Sequence, residues 1–248
     1  MTMQSATEGA RSQLTGVAPT TPRRAPERSA LRGVSQRLRD EGLRAALDKV
    51  SVRVRAFLYL NETHVWSELA IGPELTVRPL DDGLSLVRGD TSDAHSAVTV
   101  PNTLSPGAAE RRLARGAEMW VVKAGGETAF VCWIFRDASP VIASKGGSYP
   151  LPPGTAMLED SATSPDFRGR GIAPAAWSQI AQELRAAGFD RLITKVEIHN
   201  APSRKAVVKA GFVESAALHL RRIGGRNFVR VETLAGPRMA GELESRTG

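Results

Sequence analysis

The sequence has few of the residues that metal sites, disulfide frameworks and membrane spans require. Its 248 residues include one cysteine, Cys132, and four scattered histidines, which excludes an intrachain disulfide framework and a multi-thiolate zinc site. No apolar stretch approaches the roughly 18 residues that span a bilayer, and residues 1–9 lack the apolar core of a signal peptide. We therefore expect a cytoplasmic protein with no metal ion and no membrane contact.

Aromatic residues make up only 5% of the chain, and the net charge of +7 is concentrated near the N-terminus. Residues 1–55 hold eleven Lys or Arg and five Asp or Glu, whereas the rest of the chain is almost neutral. Proteins that bind RNA or single strands usually combine arginine with stacking aromatic rings, which this basic segment lacks. We expect a solvated basic arm and no nucleic acid partner.

Composition and periodicity divide the chain into four segments. These are a disordered arm (1–30), an amphipathic helical extension (31–72), a folded domain (73–236) and a flexible C-terminal tail (237–248). The arm lacks the large apolar residues that offset ordering entropy. Apolar residues recur at helical spacing from Val34 to Leu60. Residues 75–80, LTVRPL, alternate as a strand does and mark the predicted start of the domain.

Within the predicted domain, strands alternate with helices, and paired glycines mark hairpin turns. Gly125-Gly126 and Gly224-Gly225 each separate two strand-like runs. A helix that starts near Ile172 ends at Gly188, and a shorter helix opens at Pro202. Because hairpins flank a middle part in which strands and helices alternate, we predict an α+β fold with a mixed sheet.

The most informative segment is SPDFRGRGIA, residues 164–173, which joins a strand to a helix through Gly169 and Gly171. A helix start presents unpaired backbone N–H groups and the positive end of the helix dipole, so it binds phosphate groups well. Two other phosphate motifs do not fit. A Rossmann fingerprint needs a third glycine where Pro174 stands, and a Walker A loop needs a Gly-Lys-Ser/Thr sequence that is absent.

Arg168-x-x-Gly171-x-Ala173 resembles the acyl-CoA pyrophosphate loop of the GNAT superfamily of N-acetyltransferases. Asn200-Ala-Pro-Ser203, followed by Gly211-Phe212, is similar to the second cofactor segment of that superfamily. The resemblance extends from about Leu75 to Leu234. It implies a mixed, mostly antiparallel central sheet with helices on both faces and a V-shaped splay between the fourth and fifth strands. It also implies that acetyl-CoA is the acyl donor.

The resemblance assigns cofactor contacts to particular residues. Backbone groups of Ser161 and Thr163 would pair with the pantetheine arm between the splayed strands. Asn200 would bond that arm near the thioester, and Ser203 would reach the cofactor. The loop residues that would hold the pyrophosphate are Arg168, Gly169, Arg170, Gly171, Ile172 and Ala173. From the residues alone, Asn200 is also a helix N-cap, and Arg168 is also a surface arginine in a turn.

Two adjacent carboxylates, Glu159 and Asp160, precede this loop in the sequence Leu-Glu-Asp, which resembles the same position in polyamine-acetylating members. An amine acceptor arrives as an ammonium ion and must lose a proton, and a carboxylate acting directly or through water can accept it. Since neighbouring strand residues face opposite sides, we expect only one of the pair to face the cleft, and we favour Glu159. In the alternative, Glu159 only lines the cleft and water transfers the proton. Carboxylates favour a small cationic acceptor.

The sequence departs from the superfamily at the usual general acid, a tyrosine whose position is occupied by Val207. The thiolate would leave without a side-chain acid, with water, or with Ser203 or His199, although alternation places His199 on the surface. We predict an enzyme, monomeric or homodimeric, that transfers acetyl directly from acetyl-CoA to a small-molecule amine. The alternative is a catalytically silent acyl-CoA-binding sensor or scaffold docked through the basic arm.

Overall fold

The computed structural model describes residues 59–139, 148–236 and 238–247, which build a large mixed sheet with helices on both faces. The strands are β1 (Tyr59–Ala70), β2 (Leu84–Gly89), β3 (Glu118–Ala124), β4 (Glu127–Phe135), β5 (Ala138–Ser139), β6 (Tyr149–Pro150), β7 (Thr155–Thr163), β8 (Arg191–Glu197), β9 (Val213–Ile223) and β10 (Arg226–Thr233). The α-helices are α1 (Thr91–Ser96), α2 (Pro106–Leu113), α3 (Ile172–Ala186), α4 (Ala201–Lys209) and α5 (Arg238–Thr247). No described helix is long and apolar enough to cross a membrane.

The central sheet has eight strands in the order β10-β9-β1-β8-β7-β4-β3-β2, and β5 and β6 form a separate small sheet. Neighbouring strands are antiparallel except β7 and β8, which run parallel. Parallel neighbours need a crossover connection, and α3 supplies it. The α+β fold with a mostly antiparallel sheet is therefore confirmed.

Each face of the sheet buries its own apolar cluster. On one face, Trp66, Trp133 and Tyr149 belong to a cluster completed by alanines of α1 and α2 and by Met239 of α5. On the opposite face, Phe130 and Leu158 pack with apolar side chains of α3 and α4. These two clusters confirm that helices cover both faces.

The parallel strands β7 and β8 pair over only part of their length. The ladder joins residues 155–158 of β7 to residues 191–194 of β8 and ends there, although β7 continues to Thr163 and β8 to Glu197. On the other side of β7, its register with β4 shifts between Val131 and Trp133. The expected V-shaped splay is thus present, and a bulge of β7 lies beside it.

Several predicted local elements are confirmed. The turn at Gly125-Gly126 joins β3 to β4, and the turn at Gly224-Gly225 joins β9 to β10. The prediction of a strand at residues 75–80 is wrong, because this segment has no regular secondary structure. Its backbone bonds side chains of α3 instead of another strand: the Arg78 N–H donates to Ser178 Oγ, and the Arg78 carbonyl accepts from Gln179 Nε2.

The predictions for residues 59–70 and residues 238–247 are also wrong. Residues 59–70, placed by the sequence in the helical extension, form strand β1 in the middle of the sheet, because β8 and β9 supply hydrogen-bond partners on both sides. Residues 238–247, placed in a flexible tail, form α5, which buries Met239 and Leu243 and pairs Glu242 with Arg191 at 2.6 Å. The predicted arm 1–30 and the rest of the extension lie outside the described residues.

Candidate active site

A cleft of about 990 Å³ opens where β7 and β8 separate. Its walls include β1, β7, β8, the loop before α3, the first two turns of α3 and the whole length of α4. It brings together almost all of the residues that the sequence singled out: Glu159, Asp160, Ser161, Thr163, Arg168, Gly169, Gly171, Ile172, Ala173, Asn200 and Ser203. Arg170 is the predicted residue that does not line this cleft.

The glycine loop has the backbone that its sequence predicts. Gly169 and Gly171 have φ angles of 80° and 73°, which only glycine adopts without strain. Gly171 caps α3, and its carbonyl accepts the first intrahelical bond from Ala175 N at 3.2 Å. The N–H groups of Ile172 and Ala173 therefore have no intrahelical acceptor. A Cβ at Gly169 would meet no atom within 4 Å, so the space at the loop is open.

Cationic side chains surround this loop, and the sequence analysis missed two of them. Lys205 and Lys209 lie one turn apart on α4 and line the cleft. A Cβ built on Gly171 would lie 3.9 Å from Lys209 Nζ. The signal was available, since residues i and i+4 share one face of a helix. The prediction that Arg170 lies at the pyrophosphate site is not supported, because Arg170 does not line the cleft. Its guanidinium Nε donates to Asp81 Oδ2 at 3.2 Å instead.

Strand β7 presents a free backbone edge to the cleft. Its residues 159–163 lie beyond the last pair of the β8 ladder, whereas its opposite edge is paired with β4 at Ala162 and Thr163. An unpaired strand edge can accept an extended chain by main-chain hydrogen bonds. Ser161 and Thr163, predicted to meet the pantetheine arm, lie in this part of the strand.

Glu159 lies at the base of the splay and is held from two sides. It accepts a hydrogen bond from Ser139 Oγ at 3.0 Å and forms an ion pair with Lys195 of β8. Its side chain is only 12% exposed. Burial raises the pKa of Glu159, and the positive charge of Lys195 opposes that rise. The carboxylate is thus a desolvated group whose nearest partner is a cation.

Asp160 also lines the cleft, so the expectation that only one of the two carboxylates faces it is wrong. The bulge interrupts the strict alternation of the strand, and Asp160 has a φ angle of 46° there. Its carboxylate accepts a hydrogen bond from Arg112 Nη1 at 2.6 Å. The Arg112 guanidinium stacks over Trp133, 5.1 Å from the ring centroid, which fixes it beside the cleft.

Asn200 and Ser203 combine a structural contact with a place in the cleft. The Asn200 side chain caps α4 by accepting from Ser203 N at 3.3 Å, and both residues line the cleft.

Val207, at the position of the usual acid, is buried in the apolar cluster beneath α4. His199 is 89% exposed, which confirms its expected surface position. Burial raises the pKa of Cys132, as expected for an inert thiol.

Two further lining residues were not anticipated, Lys195 and His64. In the antiparallel pairing of β1 with β8, Lys195 lies opposite Trp66 and His64 lies opposite Glu197. The sequence held no signal for these neighbours, because β1 was assigned to a helical extension and its register is a property of the sheet. In the described part of the chain, no group of three or more His, Cys, Asp or Glu side chains is arranged to hold a metal ion.

Comparison with known proteins agrees with this geometry. Residues 101–212 match the family model described as the acetyltransferase (GNAT) family. A Drosophila protein of solved structure is 15% identical, with a TM-score of 0.50 over 75% of this chain and 59% of its own. A putative GNAT acetyltransferase from Novosphingobium aromaticivorans is 17% identical, with a TM-score of 0.46 over 71% of this chain and 66% of its own.

The chain thus spans less than two thirds of the length of these two structures. No curated protein matches it in sequence. The fold, with its splayed parallel strands, and the family match over residues 101–212 point to the same family. Residues 101–212 therefore form a domain of the acetyltransferase (GNAT) family.

Proposed function

We propose that this domain transfers an acetyl group from acetyl-CoA directly to the amine of a small cationic acceptor. The proposal rests on one observation. The open edge of β7, the glycine loop before α3 and several carboxylate side chains all line the same cleft. Acetyl-CoA supplies the activated acetyl thioester. The protein binds both substrates and excludes water between them.

The residues of the donor side fit an extended, phosphate-bearing ligand. The free edge of β7 offers main-chain partners to an amide-containing arm. The glycine loop offers unpaired N–H groups at the positive end of α3, where a pyrophosphate is stabilised. Lys205 and Lys209 add two positive charges at the same end of the cleft. This arrangement supports acyl-CoA as the donor.

The residues of the acceptor side favour a cation. Glu159, Asp160 and Glu197 contribute three carboxylates to the cleft, two of which are matched by Lys195 and Arg112. Glu197, the third carboxylate, has no Lys or Arg partner among the described residues and is therefore available to an ammonium group. An acidic acceptor would meet repulsion there.

No side chain at position 207 assists the departing thiolate. Val207 is buried and apolar, so the position has no proton to donate. Ser203 is the hydroxyl in the described part of the cleft that lies on the same helix. We propose that the thiolate takes its proton from water or through Ser203.

A thiol-release assay with acetyl-CoA tests this function against spermidine, cadaverine, lysine amide and phenethylamine as acceptors. We expect turnover with the diamines and triamine to exceed that with the monoamine. Glu159→Gln leaves the charge of Lys195 uncompensated beside the acceptor, so kcat/KM for the polyamines should fall by about tenfold or more. The affinity for acetyl-CoA should be retained.

Glu127→Gln is the matched control, since Glu127 is an exposed carboxylate at the start of β4 and does not line the cleft. It should leave all kinetic constants unchanged. Absence of turnover with every amine would refute the transferase proposal. Equal activity of Glu159→Gln and Glu127→Gln would refute the role of the acceptor-side carboxylates.

A further inference from the structure

The proposed transfer needs a proton acceptor, and the two carboxylates expected from the sequence already have cationic partners. Glu159 pairs with Lys195, and Asp160 pairs with Arg112. A carboxylate that balances a neighbouring cation must give up that pairing to bind a proton. A different titratable group of the cleft therefore suits the task better, and this inference rests on the proposed function.

His64 is such a group. It lies on β1, directly opposite Glu197 of β8, and it lines the same cleft as Glu159. Side chains two residues apart on a strand point to the same face. His64 therefore shares the face of Trp66, whose ring contacts Lys195 with 5.5 Å between Nζ and the ring centroid. This places the imidazole on the acceptor side of the splay.

The surroundings of His64 favour the neutral imidazole. Its Nδ1 is buried and has no hydrogen-bond partner among the described residues, so no protein acceptor stabilises a positive charge on that side of the ring. Burial lowers the pKa of His64; Glu62 and Glu197 oppose this effect, and Lys195 adds to it. Leu218, its neighbour on β9, carries no charge. At neutral pH the ring is therefore available to accept a proton.

We propose that His64 is the proton acceptor for the amine substrate. The tautomer that acts carries its proton on the shielded Nδ1, which leaves the lone pair of Nε2 to accept a proton from a molecule in the cleft. The ammonium N–H bond breaks, its proton moves to Nε2, and the freed lone pair attacks the acetyl carbonyl carbon. The C–S bond then breaks and the nitrogen loses its second proton as the amide forms. That proton passes through water to the thiolate, and the imidazolium releases its proton to solvent.

The first test compares His64→Gln with His219→Gln. Glutamine preserves polarity and approximate size but accepts no proton near neutral pH. His219 is the matched control, since it lies on the adjacent strand β9, bonds Thr63 Oγ1 at 3.0 Å and does not line the cleft. With spermidine and acetyl-CoA, we expect kcat to fall by about a hundredfold or more in His64→Gln only. The KM for acetyl-CoA and the melting temperature should stay near the parent values.

The second test is the pH profile of kcat/KM, which separates catalysis from a packing role. A lowered pKa of His64 puts the acid limb of the parent profile below 6.5, because the rate falls as the imidazole becomes protonated. The limb should disappear in His64→Gln and persist in Glu159→Gln. Added imidazole should restore part of the activity of His64→Ala, as expected when a missing base is supplied from solution.

The outcomes separate this inference from the proposed function. If the parent protein turns over amines but His64→Gln keeps both the rate and the acid limb, the proton acceptor is not His64 and the transferase proposal survives. If the acid limb is lost in Glu159→Gln and kept in His64→Gln, the proton acceptor is Glu159 and not His64. A parent protein with no turnover would overturn both proposals.

Discussion

Replacing Gly171 with aspartate places a side chain and a negative charge at the start of α3. The residue has a φ angle of 73°, and an L-residue in this left-handed conformation costs about 1–2 kcal/mol. For a domain of this size, that cost lowers the melting temperature by roughly 2–8 °C. The domain should therefore still fold.

The effect on cofactor binding should be much larger than the effect on stability. An added carboxylate about 4 Å from a phosphate oxygen costs about 1–4 kcal/mol at effective dielectric constants between that of water and 20. That cost weakens binding by roughly fivefold to several hundredfold. The new carboxylate would also lie beside Lys209, since a Cβ at this position is 3.9 Å from its Nζ. It would thereby neutralise one of the cations of the loop.

Isothermal titration calorimetry with acetyl-CoA measures the loss, and Gly116→Asp provides the control. Gly116 has a φ angle of 85°, and a Cβ there would meet no atom within 4 Å. It lies between α2 and β3, away from the cleft, so its variant carries the same strain and the same charge without touching the loop. Both variants should lose similar stability, and only Gly171→Asp should lose affinity. Equal affinities of the two variants would show that the loop does not hold the pyrophosphate.

Two further predictions concern the leaving group and the N-terminal arm. Val207→Tyr should not abolish turnover and should leave the rate unchanged or raise it, since Val207 lines the cleft but donates no proton; steady-state kinetics checks this, and a complete loss of activity would contradict it. Deleting residues 1–30, which lack core-forming and candidate site residues, should leave turnover and melting temperature nearly unchanged; a large loss of either would show that the arm belongs to the fold or the site.

Local sequence patterns were sufficient to predict the strand and the glycine turn that lead into α3. The sequence predicts a strand directly before residues 164–173, and β7 ends there at Thr163. Gly169 and Gly171 were read as a phosphate-binding turn, and both adopt the left-handed conformation that only glycine takes freely. These features depend on interactions between residues close in the chain, so they can be predicted from the sequence without the tertiary structure.

The C-terminal helix and strand β1 show where local patterns were insufficient. Residues 238–247 are mostly polar, and three apolar side chains of α5 become stabilising only when they pack on the sheet: Met239, Ala240 and Leu243. Strand β1 gains its conformation from two partners that are more than 100 residues away, β8 and β9. No short window of sequence contains those partners.

The sequence by itself determined the family, the fold class, the glycine loop and the presence of two carboxylates before it. Only the tertiary structure decided which charged side chains pair with one another in the cleft. The ion pair of Glu159 with Lys195 joins neighbouring parallel strands, and the ion pair of Asp160 with Arg112 joins a strand to a distant helix. His64 enters the cleft because β1 inserts between β8 and β9 in one particular register. Charged side chains that pair must be close in space, and the tertiary structure, not sequence spacing, sets that distance.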